Sequence, residues 1–231
     1  MINSIYCYYN YSSTDTYYKI PILSNDKINN KVTMHKSKKD NYTEPLLKER
    51  FYSHKNRVIE DIECMEKNKI KIRLPVFPED ISENVIKFII NNKLSGDSCW
   101  NYDTGDLYSI KEGIQECKCF TSSGPSSFSP TSNWDVIYFL DGRELIKDSF
   151  ILYRIPLKKD SDEWKKIKMN KNETFEDQCK AKRRPRINWS SLYPQISQYC
   201  EEVYNGTFEN IFIPKLIQDP SSVSQSTPQP E

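Results

Sequence analysis

Histidine is nearly missing from this chain: His35 and His54 are the only two in 231 residues. Cys117-x-Cys119 has no second cysteine pair at finger-like spacing, so a zinc site is not expected. A dominant charge sign is missing too. Against 33 Lys and Arg stand 32 Asp and Glu, a net charge of +1; whole-molecule attraction to a polyanion is excluded and only local patches remain for it. No apolar run is long enough to span a membrane, and no basic-then-apolar leader opens the sequence, so no membrane partner is expected. A Walker-type glycine loop and methyltransferase motifs are absent, which argues against an ATP-driven motor or a modification enzyme. The seven cysteines are an odd number outside the setting of a small secreted scaffold. They read as reduced thiols in a cytoplasmic protein.

What is present suits one domain with a core of its own and flexible ends. Residues 1–43, rich in Asn, Tyr, Ser and Lys with weak periodicity, read as a loosely ordered arm. The folded domain is expected over 44–217, and the Ser/Pro/Gln-rich stretch 218–231 as a disordered tail. From Glu44 to Asn68, Leu46, Leu47, Phe51, Val58, Ile62 and Met65 recur at near-helical intervals. Glu79 to Asn92 is a second helix, entered through Pro75 and Pro78, with Ile81, Val85, Phe88 and Ile89 on one stripe. Leu107–Ile110 and Ile114–Phe120 read as a hairpin around Lys111-Glu112-Gly113. Val136–Leu140 and Phe150–Ile155 form a second strand pair across Asp141-Gly142-Arg143. The fold class is α/β (α+β), a central mixed sheet of four or five strands flanked by helices.

The chemistry concentrates in the first hairpin. Gly105-Asp106 precedes one strand and Glu116-Cys117-Lys118 lies on the other. Alternation puts Glu116 and Lys118 on one face and turns Cys117 and Cys119 to the opposite one. With Ile110 facing Ile114, Asp106 falls opposite Lys118 with Glu116 on the diagonal. Two carboxylates and an ammonium then meet at one end of the ribbon. Hard cations such as Mg²⁺ take one or two protein carboxylates and keep several waters. Asp106, Glu116 and the Cys117 carbonyl can supply the oxygens, and Lys118 can orient a water for phosphodiester hydrolysis. A Glu–Lys pair on an exposed hairpin is also an ordinary surface arrangement, and the segments that follow decide between the two.

Gly105-Asp106 with Glu116-Cys117-Lys118 resembles the PD-(D/E)xK nuclease core, in the variant with glycine before the aspartate. The run Lys118 to Pro130, the stretch Trp134 to Asp141 and Lys182-Arg183-Arg184-Pro185-Arg186 are similar to segments of small type II restriction endonucleases. The resemblance covers roughly Leu74 to Gln195. It implies a restriction-endonuclease-like core and a metal-dependent DNA endonuclease, with Asp106, Glu116 and Lys118 in the catalytic roles. It also implies that the helix before the first catalytic strand adds an acid, for which Glu83 is the candidate; the alternative is an exposed helix glutamate.

Three places are expected to face DNA. Lys180, Lys182, Arg183, Arg184 and Arg186 form a basic cluster after a short helix that Thr174 caps, and Pro185 fixes the backbone between arginines. Arginine forks suit guanine edges or phosphates. Gly124–Asn133 is a loop, and with Ser122 and Ser123 it offers hydroxyls and amides to phosphate. Trp164 stands among Lys165, Lys166 and Lys168 and reads as a core anchor with solvated lysines, as do Trp134 and Trp189.

The reading favoured is a Mg²⁺-dependent type II restriction endonuclease acting on double-stranded DNA. A palindromic target calls for a homodimer, and a companion DNA methyltransferase is implied. A structure-selective repair or junction nuclease with the same site, and a non-enzymatic DNA-binding accessory protein, are the alternatives.

Overall fold

In the computed structural model the described residues are 42–94, 96–101 and 105–215. The expected arm lies outside them apart from Tyr42 and Thr43, and the expected tail over 218–231 lies wholly outside. Helix α1, Glu44–Asn68, starts with proline in its first turn, where the missing N–H costs nothing, and ends at Lys69 in the left-handed conformation. Helix α2 spans Glu79–Lys93. The Tyr42 hydroxyl donates to Asp80, and Arg50 reaches the same carboxylate at 3.1 Å, tying the starts of both helices together.

The main sheet has six strands in the order β1-β2-β3-β5-β6-β8. They are β1 Cys99–Trp100, β2 Leu107–Ser109, β3 Gly113–Phe120, β5 Val136–Asp141, β6 Ser149–Ile155 and β8 Glu201–Thr207. Strands β3 and β5 run parallel and the remaining neighbours antiparallel. This is the mixed, helix-flanked α+β sheet that the sequence predicts, with more strands than expected. The additional ones are the two edges. β1 has only two residues, and β8 reads Glu-Glu-Val-Tyr-Asn-Gly-Thr, too polar for an apolar-run criterion. Between β3 and β5 the chain forms β4, Pro125–Ser127, which pairs with β7, Arg186–Asn188, in a separate two-stranded ribbon.

Alternation along β3 and β5 divides the core. On one face α1 and α2 bury Leu47, Phe51, Ile86 and Ile89 against Cys117, Tyr138, Leu140 and Leu152. On the other, short helices α3 (Asp162–Lys165), α4 (Phe175–Lys180) and α5 (Trp189–Ile196) cover Ile137, Phe139 and Ile155. All six positions of β5 are buried, as for a strand covered on both sides. Trp134 and Trp164 are core anchors, both essentially inaccessible. The α4 cap is also as the sequence predicts: Thr174 accepts from the Asp177 N–H while Asp177 accepts from Thr174, a capping box.

Phe128 is the hub of the second layer. Its ring lies 6.1 Å from Trp134, 5.9 Å from Trp164, 5.8 Å from Phe175 and 6.3 Å from Phe139. It also holds the β4 ribbon to the sheet. Phe128→Ala is therefore expected to cost about 3–5 kcal/mol of unfolding free energy, read from the midpoint of a urea titration.

Candidate active site

The hairpin that carries the acids is set by two glycines. Gly105 has φ +76°, and a Cβ there would lie 2.5 Å from Ile114 Cγ2. Proline, locked near −65°, cannot take that conformation, so glycine before Asp106 is a backbone requirement. Gly113, at φ +74°, opens β3 against the Asp135 side chain, where a Cβ would collide. Asp135 then fixes the strand, its carboxylate accepting from the Ile114 N–H at 2.9 Å and its own N–H donating to the Ile114 carbonyl at 2.8 Å.

The register differs from the expected one by two residues. Tyr108 pairs with Ile114, Leu107 with Gln115 and Ser109 with Gly113, so the loop is Ile110–Glu112 and Gly113 belongs to the strand. An even shift leaves each side chain on its own face. Glu116 and Lys118 still share one side, and Cys117 still packs in the helical layer on the other. Asp106, however, comes level with Glu116 instead of Lys118. Its Oδ2 accepts from the Cys117 N–H at 2.7 Å, and its charge raises the pKa of both Glu116 and Lys118.

Lys118 Nζ donates to Glu116 Oε1 at 2.5 Å and to the Cys117 carbonyl at 3.1 Å. Those are two of the three oxygens expected to ligate a metal, and they converge on one cationic point. With Asp106 adjacent, the donor set is two carboxylates and a main-chain carbonyl, which fits a hard divalent cation that retains waters. Among the described residues no group of three or more His, Cys, Asp or Glu side chains gathers as a metal cluster.

Burial gives the site its electrostatic character. Glu116 is only 3% exposed, and desolvation holds its carboxyl above the ordinary 4.5, against the opposing pull of Lys118. Burial disfavours the Lys118 ammonium, yet the Glu116 and Asp106 carboxylates raise its pKa overall. Lys159 is a further cation here, unanticipated from the sequence. Its field acts on Glu116, while its ammonium donates to the carbonyls of Pro130, at 2.7 Å, and Ser132. Its N–H donates to the Trp134 carbonyl at 3.1 Å. It pins the loop before β5, beside a cavity of about 320 Å³ lined by Ser132, Asn133, Phe175 and Cys179. No local motif marks it, because it lies far along the chain from Glu116.

Glu83 is not exposed. It is 3% accessible on α2, and its charge acts on the Cys117 thiol, on the helix-facing side of β3. Glu112, in the hairpin loop, was also missed. It accepts from Gln115 at 2.8 Å, Tyr138 at 2.6 Å and Arg154 at 2.7 Å. It thereby fastens the loop to β5 and β6.

The basic cluster is brought to the same face through the ribbon. Ser127 pairs with Arg186 and Pro125 with Asn188, and β4 packs on β3. Lys180, Lys182, Arg183, Arg184 and Arg186 are all exposed. Lys180 pairs with Glu176 at 3.0 Å and Arg183 with Glu173. Lys182, Arg184 and Arg186 make no ion pair among the described residues. Ser122 and Ser123 are exposed in the turn between β3 and β4. Among the described residues no hydrogen bond or ion pair joins the cluster to Asp106, Glu116 or Lys118; the ribbon is the link. Trp189 stacks on Phe120 at 5.2 Å, an anchor rather than a free platform.

Residues 47–195 match the family model described as Bsp6I restriction endonuclease. The chain belongs to that family. The matched span begins within α1, earlier than the resemblance read from motifs, and takes in the hairpin, the Gly/Pro/Ser loop and the basic cluster. Type II restriction enzyme Bsp6I from Bacillus sp. (strain RFL6) is 32% identical over 115 residues, 48% of this chain and 62% of the relative. The chain thus covers less than two thirds of the length of that relative. No solved structure matches. Among the described residues no helix is long and apolar enough to cross a membrane.

The Glu116–Lys118 pair makes a stability prediction. Folding raises the Glu116 pKa, so its ionisation opposes folding and stability falls as pH rises through the folded-state value. Lys118→Met removes the compensating ammonium and is expected to lower the melting temperature at pH 7. Replacing both, Glu116→Gln with Lys118→Met, is expected to melt at or above wild type in metal-free buffer, since the buried charges go together. A double variant less stable than Lys118→Met alone would contradict this account.

Proposed function

We propose that this chain is a Mg²⁺-dependent, sequence-specific type II restriction endonuclease that hydrolyses phosphodiester bonds in both strands of duplex DNA. The observation that carries the reading is the convergence of the Glu116 carboxylate and the Cys117 carbonyl on one cationic point, with Asp106 beside them. Membership of the Bsp6I restriction endonuclease family supports it.

Asp106, Glu116 and the Cys117 carbonyl would hold the metal, which when bound would supply Lewis-acid stabilisation of phosphate charge and a more acidic water. Lys118 orients the attacking water through its ammonium N–H groups and steadies negative charge as hydroxide character develops. Glu83, buried behind Cys117, is the accessory acid, acting from the helix side of β3. Arg184, Arg186 and Lys182, with no acidic partners among the described residues, grip DNA together with Ser122 and Ser123, and Lys180 and Arg183 flank them. One hairpin supplies one such site, so cutting both strands at one target calls for a symmetric homodimer. Protection of host DNA calls for a companion methyltransferase.

Incubating the pure protein with phage-sized duplex and Mg²⁺, then sequencing fragment ends, is expected to give discrete fragments with a common terminal sequence. Glu116→Ala and Lys118→Ala should each lower cutting by at least about 100-fold while leaving DNA binding near wild type. Arg184→Ala or Arg186→Ala should instead weaken binding or relax specificity, by about 1–3 kcal/mol if the contact is to a base. Cuts confined to branched DNA would mean a structure-selective nuclease. Binding unaffected by Mg²⁺, with no cleavage, would mean an accessory DNA-binding protein.

A further inference from the structure

The parallel strands β3 and β5 end side by side, and an arginine site outside the basic cluster is built there. Asp141, the last residue of β5, has a buried carboxylate, its side chain 7% exposed, while the Arg143 side chain is 54% exposed. Arg143 forks onto it, Nε lying 3.0 and 3.2 Å from the two oxygens and Nη2 2.7 Å from Oδ2. The Asp141 Oδ1 also accepts from the Arg143 main-chain N–H at 3.1 Å. The guanidinium sits 5.4 Å over the ring of Phe120, the last residue of β3. Gly142 N donates to the Phe120 carbonyl at 2.9 Å, which locks the two strand ends together.

This fixes what surrounds the guanidinium. From Phe120 the chain enters the exposed turn holding Ser122 and Ser123, then β4. Phe120 is also stacked by Trp189, which directly follows β7 and its Arg186. The serine turn is therefore flanked by Arg143 at its β3 end and by the Arg186 strand at its β4 end. An arginine has five N–H donors, and the fork engages Nε and one Nη2 hydrogen; the Nη1 amino group has no partner among the described residues. A planar cation held by a buried carboxylate and an aromatic face has lost its rotamer freedom before any ligand arrives, so less is lost on binding. The ends of parallel strands are also where open α/β sheets receive ligands.

We infer that Arg143 is a DNA-backbone contact, a phosphate clamp that Asp141 and Phe120 hold in place beside the Ser122–Ser123 turn. The inference rests on the nuclease reading, because it takes duplex DNA as the ligand, and it adds a residue that the basic run downstream does not include. Asp141 is a positioning residue in this device; it touches the arginine and not the phosphate.

The test uses the full chain in metal-free buffer and a mixed-sequence duplex of about two helical turns, with anisotropy read across a salt series. Each phosphate contact contributes about 0.9 to the slope of log K against log salt. Arg143→Gln retains much of the stem over Phe120 and is expected to reduce the slope by about that amount, weakening binding about 5- to 10-fold at 0.1 M salt. Arg143→Lys should restore the slope but only part of the affinity, because the charge returns without the fork. Asp141→Asn should weaken binding while leaving the slope unchanged. Circular-dichroism melts accompany each variant, and the Lys variant separates lost charge from lost packing. If wild type binds with a salt-dependent slope and Arg143→Gln matches it, the clamp is wrong and the nuclease reading stands. A wild type with no salt-dependent affinity for duplex overturns both.

Discussion

The ladder between β3 and β5 is the constraint on which the rest of the molecule depends. It pairs Glu116 with Ile137 and Lys118 with Phe139, so the charged side chains rise from a strand whose neighbour is buried on both faces. Asp135 clamps the entry of β3 and Gly142 its exit. A strand held at both ends in this way opens rarely, since little of its backbone is free to exchange with solvent. That rigidity is what a desolvated Glu–Lys pair needs. In a mobile segment the carboxylate and ammonium would separate, hydrate and lose the raised pKa values that define the site.

How much of this was legible in the sequence varies by the range of the determining contact. Period-two alternation placed Glu116 and Lys118 together and Cys117 behind them, because strand geometry is local. Thr174 three residues before Asp177 was likewise local, and the cap formed. The register of the hairpin was not legible, because Asp135, 21 positions from Ile114, sets it. Glu83 reads as the candidate accessory acid with an exposed helix glutamate as the alternative, because periodicity gives α2 a single buried stripe of Ile81, Val85, Phe88 and Ile89. In fact Ser82, Glu83 and Asn84 are buried with Ile81, Val85 and Ile86, because the helix is covered on more than one side. Strand β8 alternates too weakly to stand out, with Tyr204 as its one buried residue. The places of Lys159 and Arg143 depend on the sheet being assembled first.

A nearly neutral chain can still offer a strongly cationic surface, and the distribution of ion pairs shows how. Acidic partners consume Lys48, Lys55 and Arg154 where those side chains bind elements to one another, and Lys180 is paired within α4. Around the β4–β7 ribbon the pairing thins out among the described residues, where Arg184, Arg186 and Lys182 are exposed and make no ion pair. Overall charge therefore says little about the local field, which depends on where the carboxylates have been spent.

The two cysteines of β3 carry a consequence of their own. Both side chains turn to the face opposite Glu116 and Lys118, and burial, aided by neighbouring carboxylates, raises the pKa of both thiols. Alkylating reagents should reach the buried Cys117 only when the strand transiently detaches. The labelling rate at that sulfur then becomes a built-in clock for breathing of the sheet centre.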